Sequence, residues 1–162
     1  MARSWILTCS PKNVAATRAH GFSVIGFKDR NRRRAGRIEP GDRIVLYATG
    51  VMAFAGSIRV EGEMFCDDSR IWAWRPEGPD PYPWRFPTSP EYVLDEDEWI
   101  PAVTFVDQLD HIQKWPRAHW TLAFQGQVRP VSAHDGQVLA DRLAAAAALT
   151  SRGGARTRST RS

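Results

Sequence analysis

The stretch IEPGDRIVLYATGVMAFAGSIRVEGE, residues 38–63, decides how the chain is read. Pro40-Gly41 is a turn signal, and residues 43–48 after it read as a β-strand. Residues 53–63 read as a further strand. Gly56 interrupts that strand, which marks a bulge or a close approach of another backbone.

Working outward, SWILTCS (4–10) reads as an opening strand. Ser10 is placed to cap a helix and Pro11 to occupy its first position. That helix runs to about His20 and stops at Gly21. FSVIGF (22–27) is a second strand, and KDRNRRRAGR after it is a polar loop. RIWAWR (70–75) reads as a strand whose period of two puts Trp72 and Trp74 on one face. Pro76 to Pro90 is a long loop, too rich in proline for a central strand. AVTFV (102–106) is predicted as a strand, DQLDHIQK (107–114) as a short helix and TLAF (121–124) as another strand. The last helix spans about Ala133 to Leu149, with Ser132 and Asp135 spaced like a capping box and Val138, Leu139 and Leu143 on one stripe. Strands and helices do not alternate regularly, which argues against a doubly wound sheet. The pattern predicts an α+β fold, a small barrel with flanking helices.

A chain of 162 residues fits one domain, here 1–150, followed by the tail SRGGARTRSTRS (151–162). The tail holds four of the 22 Lys and Arg and no acid, which leaves the body with 18 basic and 18 acidic residues. With no apolar residue larger than alanine, the tail is expected to be disordered. Charge within the body is segregated. Lys28, Arg30, Arg32, Arg33, Arg34 and Arg37 crowd one segment, which reads either as a phosphate-facing patch or as a solvated loop. Glu91 and the acids at 95–98 read as a solvated acidic loop. Cys9 and Cys66 lie far apart and read as reduced thiols packed as small hydrophobes. No apolar run approaches a membrane span, and the first residues turn polar too soon for a secretory signal. A cytoplasmic protein without a membrane partner is expected.

No phosphate-binding GxxxxGK[ST], HExxH or GxSxG motif occurs. The four histidines match no metal spacing, and no nucleophile stands with a base. No cofactor, metal or catalytic residue is therefore assigned. What remains is aromatic and basic. RIWAWRPEGPDPYPWRF (70–86) carries Trp72, Trp74, Tyr82, Trp84 and Phe86 beside Arg70, Arg75 and Arg85. Aromatic rings sandwich nucleobases, and an extruded base needs such walls plus a few donors for its edge. Trp72, Trp74 and Trp84 are candidate walls, closed by Phe27, Tyr47 or Phe54. The alternative for each is core packing, the role expected of Trp5 and Trp99.

In order and spacing these pieces resemble the EVE domain, a PUA-like family related to YTH and ASCH domains. The resemblance covers about Trp5 to Leu143. It rests on WILTCS, the helix after Ser10, Gly21, IEPGDRIVLYA, FAGSIRVEGE, YPWRF, PAVTFVDQLDHI and the helix after Ser132. It implies a small bent β-barrel of five to six strands flanked by helices. It also implies a non-catalytic reader of a modified base in DNA or RNA, methylated or hydroxymethylated cytosine being the class suggested for bacterial members. Carried onto this chain, Ser10 and Asn13 read the base edge, while Phe27, Lys28, Trp72 and Trp74 shape the pocket. Arg32, Arg33 and Arg34 hold flanking phosphates. Arg85 ties down the loop or meets a phosphate. Two departures stand out. Phe27 replaces the tryptophan of YTH domains, and Cys-Ser-Pro (9–11) replaces a Ser-Glu-Pro, removing a carboxylate. An ASCH-like ribonuclease and a binder of a free modified nucleoside are the rival readings.

Overall fold

The computed structural model describes residues 2–160, with side chains described for 2–149; the last helix is assigned as Ala133–Thr160, so the tail expected to be disordered is described in its backbone as far as residue 160, and 161–162 fall outside the described residues. A curled sheet runs in the order β2-β6-β4-β3-β1-β8. Its strands are β1 (Ser4–Cys9), β2 (Val24–Phe27), β3 (Arg43–Ala48), β4 (Ala53–Val60), β6 (Trp84–Val93) and β8 (Val128–Val131). Two-residue strands β5 (Phe65–Cys66) and β7 (Ile100–Pro101) pair with β6 and β4. Among the described residues only the β1–β3 pair is parallel. The helices are α1 (Pro11–Ala19), α2 (Arg32–Ala35), α3 (Asp110–Gln113) and α4 (Ala133–Thr160). This is the expected α+β fold, a half-barrel with helices on its faces.

The opening stretch behaves as its residues dictate. Gly41 takes φ +91° in the turn. Asp42 after it is buried, and its carboxylate accepts from the Arg3 amide at 2.9 Å, the Trp5 indole at 3.0 Å and the Glu39 amide at 3.0 Å. One side chain thus ties the turn to the start of β1. In β3 the side chains alternate between two cores. Ile44 and Leu46 join Trp5, Leu7, Ile25, Phe27 and Phe86 on one face; Val45 and Tyr47 join Ile6, Phe54, Phe105 and Leu139 on the other. A strand buried on both faces has to read as a nearly continuous apolar run. Gly56 sits at φ +155°, and a Cβ there would lie 2.7 Å from the Tyr92 carbonyl oxygen. The β3–β4 register shifts one residue pair away, between Leu46 and Tyr47, so both the bulge and the close approach are present.

Residues 28–37, read as a polar loop, hold a 3₁₀ turn (Asp29–Asn31) and α2, and four further segments depart from the sequence reading. Residues 70–75 form no strand. Residues 84–90, expected to lie within the proline-rich loop 76–90, form with 91–93 strand β6, which joins β2 to β4. Its prolines are tolerated because β6 changes partner after Pro87 and because Pro90 borders a bulge that leaves Glu91 without an opposite residue. Residues 102–105 and 117–124 are 3₁₀-helical rather than strands. Ala102 and Phe105 are buried three residues apart, a helical spacing that a short apolar run does not distinguish from a strand. Glu91, expected in a solvated loop, is partly buried, pairs with Arg43 at 2.6 Å and with Arg59, and accepts from Ser57. Trp5 is core as expected, Trp99 is half-buried between the two cores, and Cys66 is exposed.

Candidate functional site

The edge strands of the half-barrel are β2 and β8, and α1 borders the gap between them. Ser10 caps α1 by accepting from the Asn13 amide at 3.1 Å, so Asn13 stands one turn inside the helix at the mouth of the gap. Residues 70–82 fold over the same mouth. Their organiser is Asp80, a buried carboxylate. It accepts the amides of Ile71, Trp72 and Ala73 at 2.8, 2.7 and 3.1 Å, and its other oxygen accepts from Tyr82 at 2.9 Å. Three successive amides aimed at one oxygen form a nest. A strand points successive amides in opposite directions. The nest therefore abolishes the expected strand and separates its tryptophans: Trp72 is 7% exposed and Trp74 69%.

Trp72 is anchored by its indole, which donates to the Thr17 hydroxyl of α1 at 2.9 Å. Its ring meets Tyr82 edge-on at a centroid distance of 5.8 Å. Gly26 of β2 makes the fit possible, since a Cβ there would lie 2.6 Å from Trp72 and 2.9 Å from Tyr82. Behind these rings lies an inner cavity of about 30 Å³, walled by Leu7, Cys9, Ile25 and Leu46 among others. In front lies an outer cleft of about 470 Å³, bordered by Ser10, Lys12, Asn13, Lys28, Trp74 and Tyr82. The cleft continues past Thr8, Arg30, Gly126 and Gln127. Asn13 and Tyr82 border all three spaces, and the Asn13 amide donates to the Tyr82 hydroxyl at 3.2 Å. Lys28 stands 5.5 Å from the Tyr82 ring centre. Burial pushes the Cys9 thiol up to about 12, so the one sulfur on the cavity wall is protonated at neutral pH and a poor nucleophile.

Of the residues singled out from the sequence, Ser10, Asn13, Lys28, Trp72 and Trp74 meet at this cleft. Phe27 does not. It is fully buried and packs edge-on against Phe86; on either side of it, Gly26 lines the inner cavity and Lys28 the cleft instead. Tyr47 lies on the opposite face of the sheet, stacked on Phe124 at 4.2 Å. Trp84 is turned outward, with its indole on Asp29 at 2.5 Å and Arg32 3.8 Å above its ring. Arg85 meets no phosphate-facing surface: it is buried, bonds the Tyr82 carbonyl and Ser69, and pairs with Asp67 and Asp80. These contacts tie β6 to the loop of residues 67–82. The arginine run splits, with Arg32 on Trp84 and Arg34 bordering a separate groove. Arg33 is exposed and borders neither cleft nor groove.

Sequence reasoning did not assign Tyr82, Gly26, Thr17, Asp80, Lys12 or Gln127 to the site. Only Tyr82 carried a signal, its place in the aromatic stretch; the others reach the cleft through long-range folding. Among the described residues, Asp110, His134 and Asp135 bring potential metal-ligand atoms within 4.8 Å of one another. Both Asp135 oxygens, however, accept first-turn amides of α3, from Asp110 and His111. No helix among the described residues is long and apolar enough to cross a membrane.

The fold defined by this sheet and cleft is that of the YTH and PUA-like domains. The Pho92 YTH domain solved in complex with m6A superposes with a TM-score of 0.64 over 88% of this chain and 83% of its own, at 14% identity. The YTH domain of Zygosaccharomyces rouxii MRB1, in complex with N6-methyladenosine RNA, gives 0.61 at 12% identity, over 88% and 86%. A hypothetical protein from Leishmania major gives 0.59 at 14% identity, over 88% and 95%. No family model and no curated protein matches the chain in sequence.

Proposed function

We propose that this chain is a non-catalytic reader of a modified nucleobase, an EVE-type member of the YTH-like fold. The observation that carries the reading is the joint placement of Trp72, Trp74, Tyr82 and Asn13 around one cleft with Lys12 and Lys28 on its rim. The exposed Trp74 indole offers a stacking face and the Asn13 amide a donor for a base edge. The lysines attract the backbone on either side. Phosphate contacts position such a strand, and base contacts select it. The inner cavity has room for about two waters or one small substituent, and its walls mix apolar Leu7, Ile25 and Leu46 with polar Thr8, Asn13 and Gln127. A methyl or hydroxymethyl group on the base fits that space. One methyl in a fitted apolar pocket is worth roughly 1–3 kcal/mol. The neighbouring YTH structures with m6A support the same class of ligand, and methylated or hydroxymethylated cytosine in DNA is the candidate that the EVE resemblance adds.

Calorimetric titration tests the reading. Oligonucleotides carry plain cytosine, methylated cytosine, hydroxymethylated cytosine or methylated adenine at one position. A preference of about tenfold or more for one modification is expected. Equal, salt-sensitive binding to all of them sinks it.

A further inference from the structure

A second groove, of about 470 Å³, lies beyond the cleft and between β8, α2 and α3. Arg34, Arg37, Lys114 and Arg129 border it together with Trp115, and no carboxylate does. Among the described residues, none of these four cations forms an ion pair. Arg34, Arg37 and Lys114 are exposed and Trp115 is half-buried, so charges and indole are accessible. The potential reaches inward. His111, also on the groove, is held below its usual pKa first by burial, with Lys114 and Arg129 lowering it further against Asp135. The groove is also joined to the cleft. Gly126 borders the cleft, and guanidinium nitrogens of Arg34 and Arg129 lie 3.7 Å from where its Cβ would stand. Lys28, Arg30, Gly126 and Gln127 make a continuous ledge between the two.

We infer that this groove is a second subsite that takes the phosphodiester backbone and one stacked base of the single strand flanking the recognised base. The inference rests on the reading of the cleft as a base pocket. Four cations spread around a space this large exceed what one phosphate requires, and an indole beside them suits a base, since every base offers a π-face. A strand leaving the cleft along the ledge reaches Arg34 and Arg129 first and Trp115 deeper in the groove.

Fluorescence anisotropy with the full chain tests this. One labelled single strand is short, ending at the modified base and its nearest neighbours; a second extends on both sides. Arg37→Gln with Lys114→Gln is expected to weaken only the long strand. The slope of log K against log salt should fall by about 0.7 for each phosphate that is no longer neutralised. Trp115→Ala should cost about 5- to 150-fold on the long strand and nothing on the short one. Both lysine and arginine sites are exposed, so their substitution leaves folding intact even where Trp115→Ala does not. Unchanged long-strand affinity and slope in these variants overturns the subsite, even where base preference on the short strand upholds the cleft. Loss on the long strand with no base preference anywhere upholds the subsite and removes the reader. Displacement of the long strand by inorganic phosphate, beyond chloride at equal ionic strength, overturns a polymeric ligand.

Discussion

The Trp72 indole N–H donates to the Thr17 hydroxyl, joining the aromatic loop to the middle of α1 across 55 residues of sequence. That bond, with the Asp80 nest behind it, makes Trp72 a wall fixed in the fold and leaves Trp74 the exposed ring, with the Arg75 guanidinium 5.1 Å from its centre. The two tryptophans therefore respond differently to truncation. Trp72→Ala is expected to cost about 3–5 kcal/mol of stability and to abolish binding. Trp74→Ala should stay within about 0.5 kcal/mol of the parent in a urea melt while losing about 1–3 kcal/mol of base affinity. A Trp74 variant that binds as the parent does removes that ring from the site.

Gly26 leaves no room for a side chain between β2 and the Trp72 and Tyr82 rings. Gly26→Ala sets a methyl 2.6 Å from Trp72, whose ring cannot swing away without breaking its bond to Thr17. A loss of about 1–3 kcal/mol in stability is expected, together with weakened binding of the modified base and little change in salt-driven affinity for a plain strand. Chemical denaturation and titration with both strands report the two effects separately.

Asp80→Asn keeps the shape of the side chain but removes the charge that collects the amides of residues 71–73 and faces Arg85 at 3.8 Å. We expect about 1.5–3 kcal/mol of destabilisation and faster amide hydrogen exchange confined to residues 71–82. Exchange that accelerates uniformly over the sheet would instead make Asp80 a global core group.

Asp42 and Glu91 set an acid limit. Burial by itself raises both carboxyls; at Asp42 the amides of Arg3 and Glu39 and the Trp5 indole outweigh it. At Glu91, hydrogen bonds from Arg43, Ser57 and Arg59 do the same, so both titrate below the usual carboxylate range. A carboxyl depressed in the folded state contributes stability that is full above its unfolded pKa of about 4 and is lost as pH falls through the folded value. Stability should thus be flat with respect to these groups near neutrality and decline below about pH 4. Asp42→Asn and Glu91→Gln should lower the neutral plateau and flatten that decline. An acid limb identical to the parent's refutes the assignment.

Local sequence determined β1, the cap and start of α1, β2, the Gly41-Asp42 turn, β3 and the bulge at Gly56. Each rests on a periodicity or a turn residue whose cause lies within a few positions. The aromatic and basic stretches marked Trp72, Trp74 and Lys28, and the EVE resemblance added Ser10 and Asn13; the cleft brings the five together. Only the tertiary structure decided the rest. Residues 70–75 alternate like a strand, yet a carboxylate several residues later gathers their amides and turns the two tryptophans apart. Proline forbids a central strand in general, but β6 changes partners after Pro87 and bulges beside Pro90, so its missing donors fall where the ladder is already interrupted. Phe27 and Tyr47 look like pocket aromatics by type. The alternation of a sheet buried on both faces places Phe27 in one core and Tyr47 in the other, and gives Gly26 to the inner cavity and Lys28 to the cleft instead. Which face of a strand meets the ligand depends on what covers its other face, and that cover comes from residues far away in the chain.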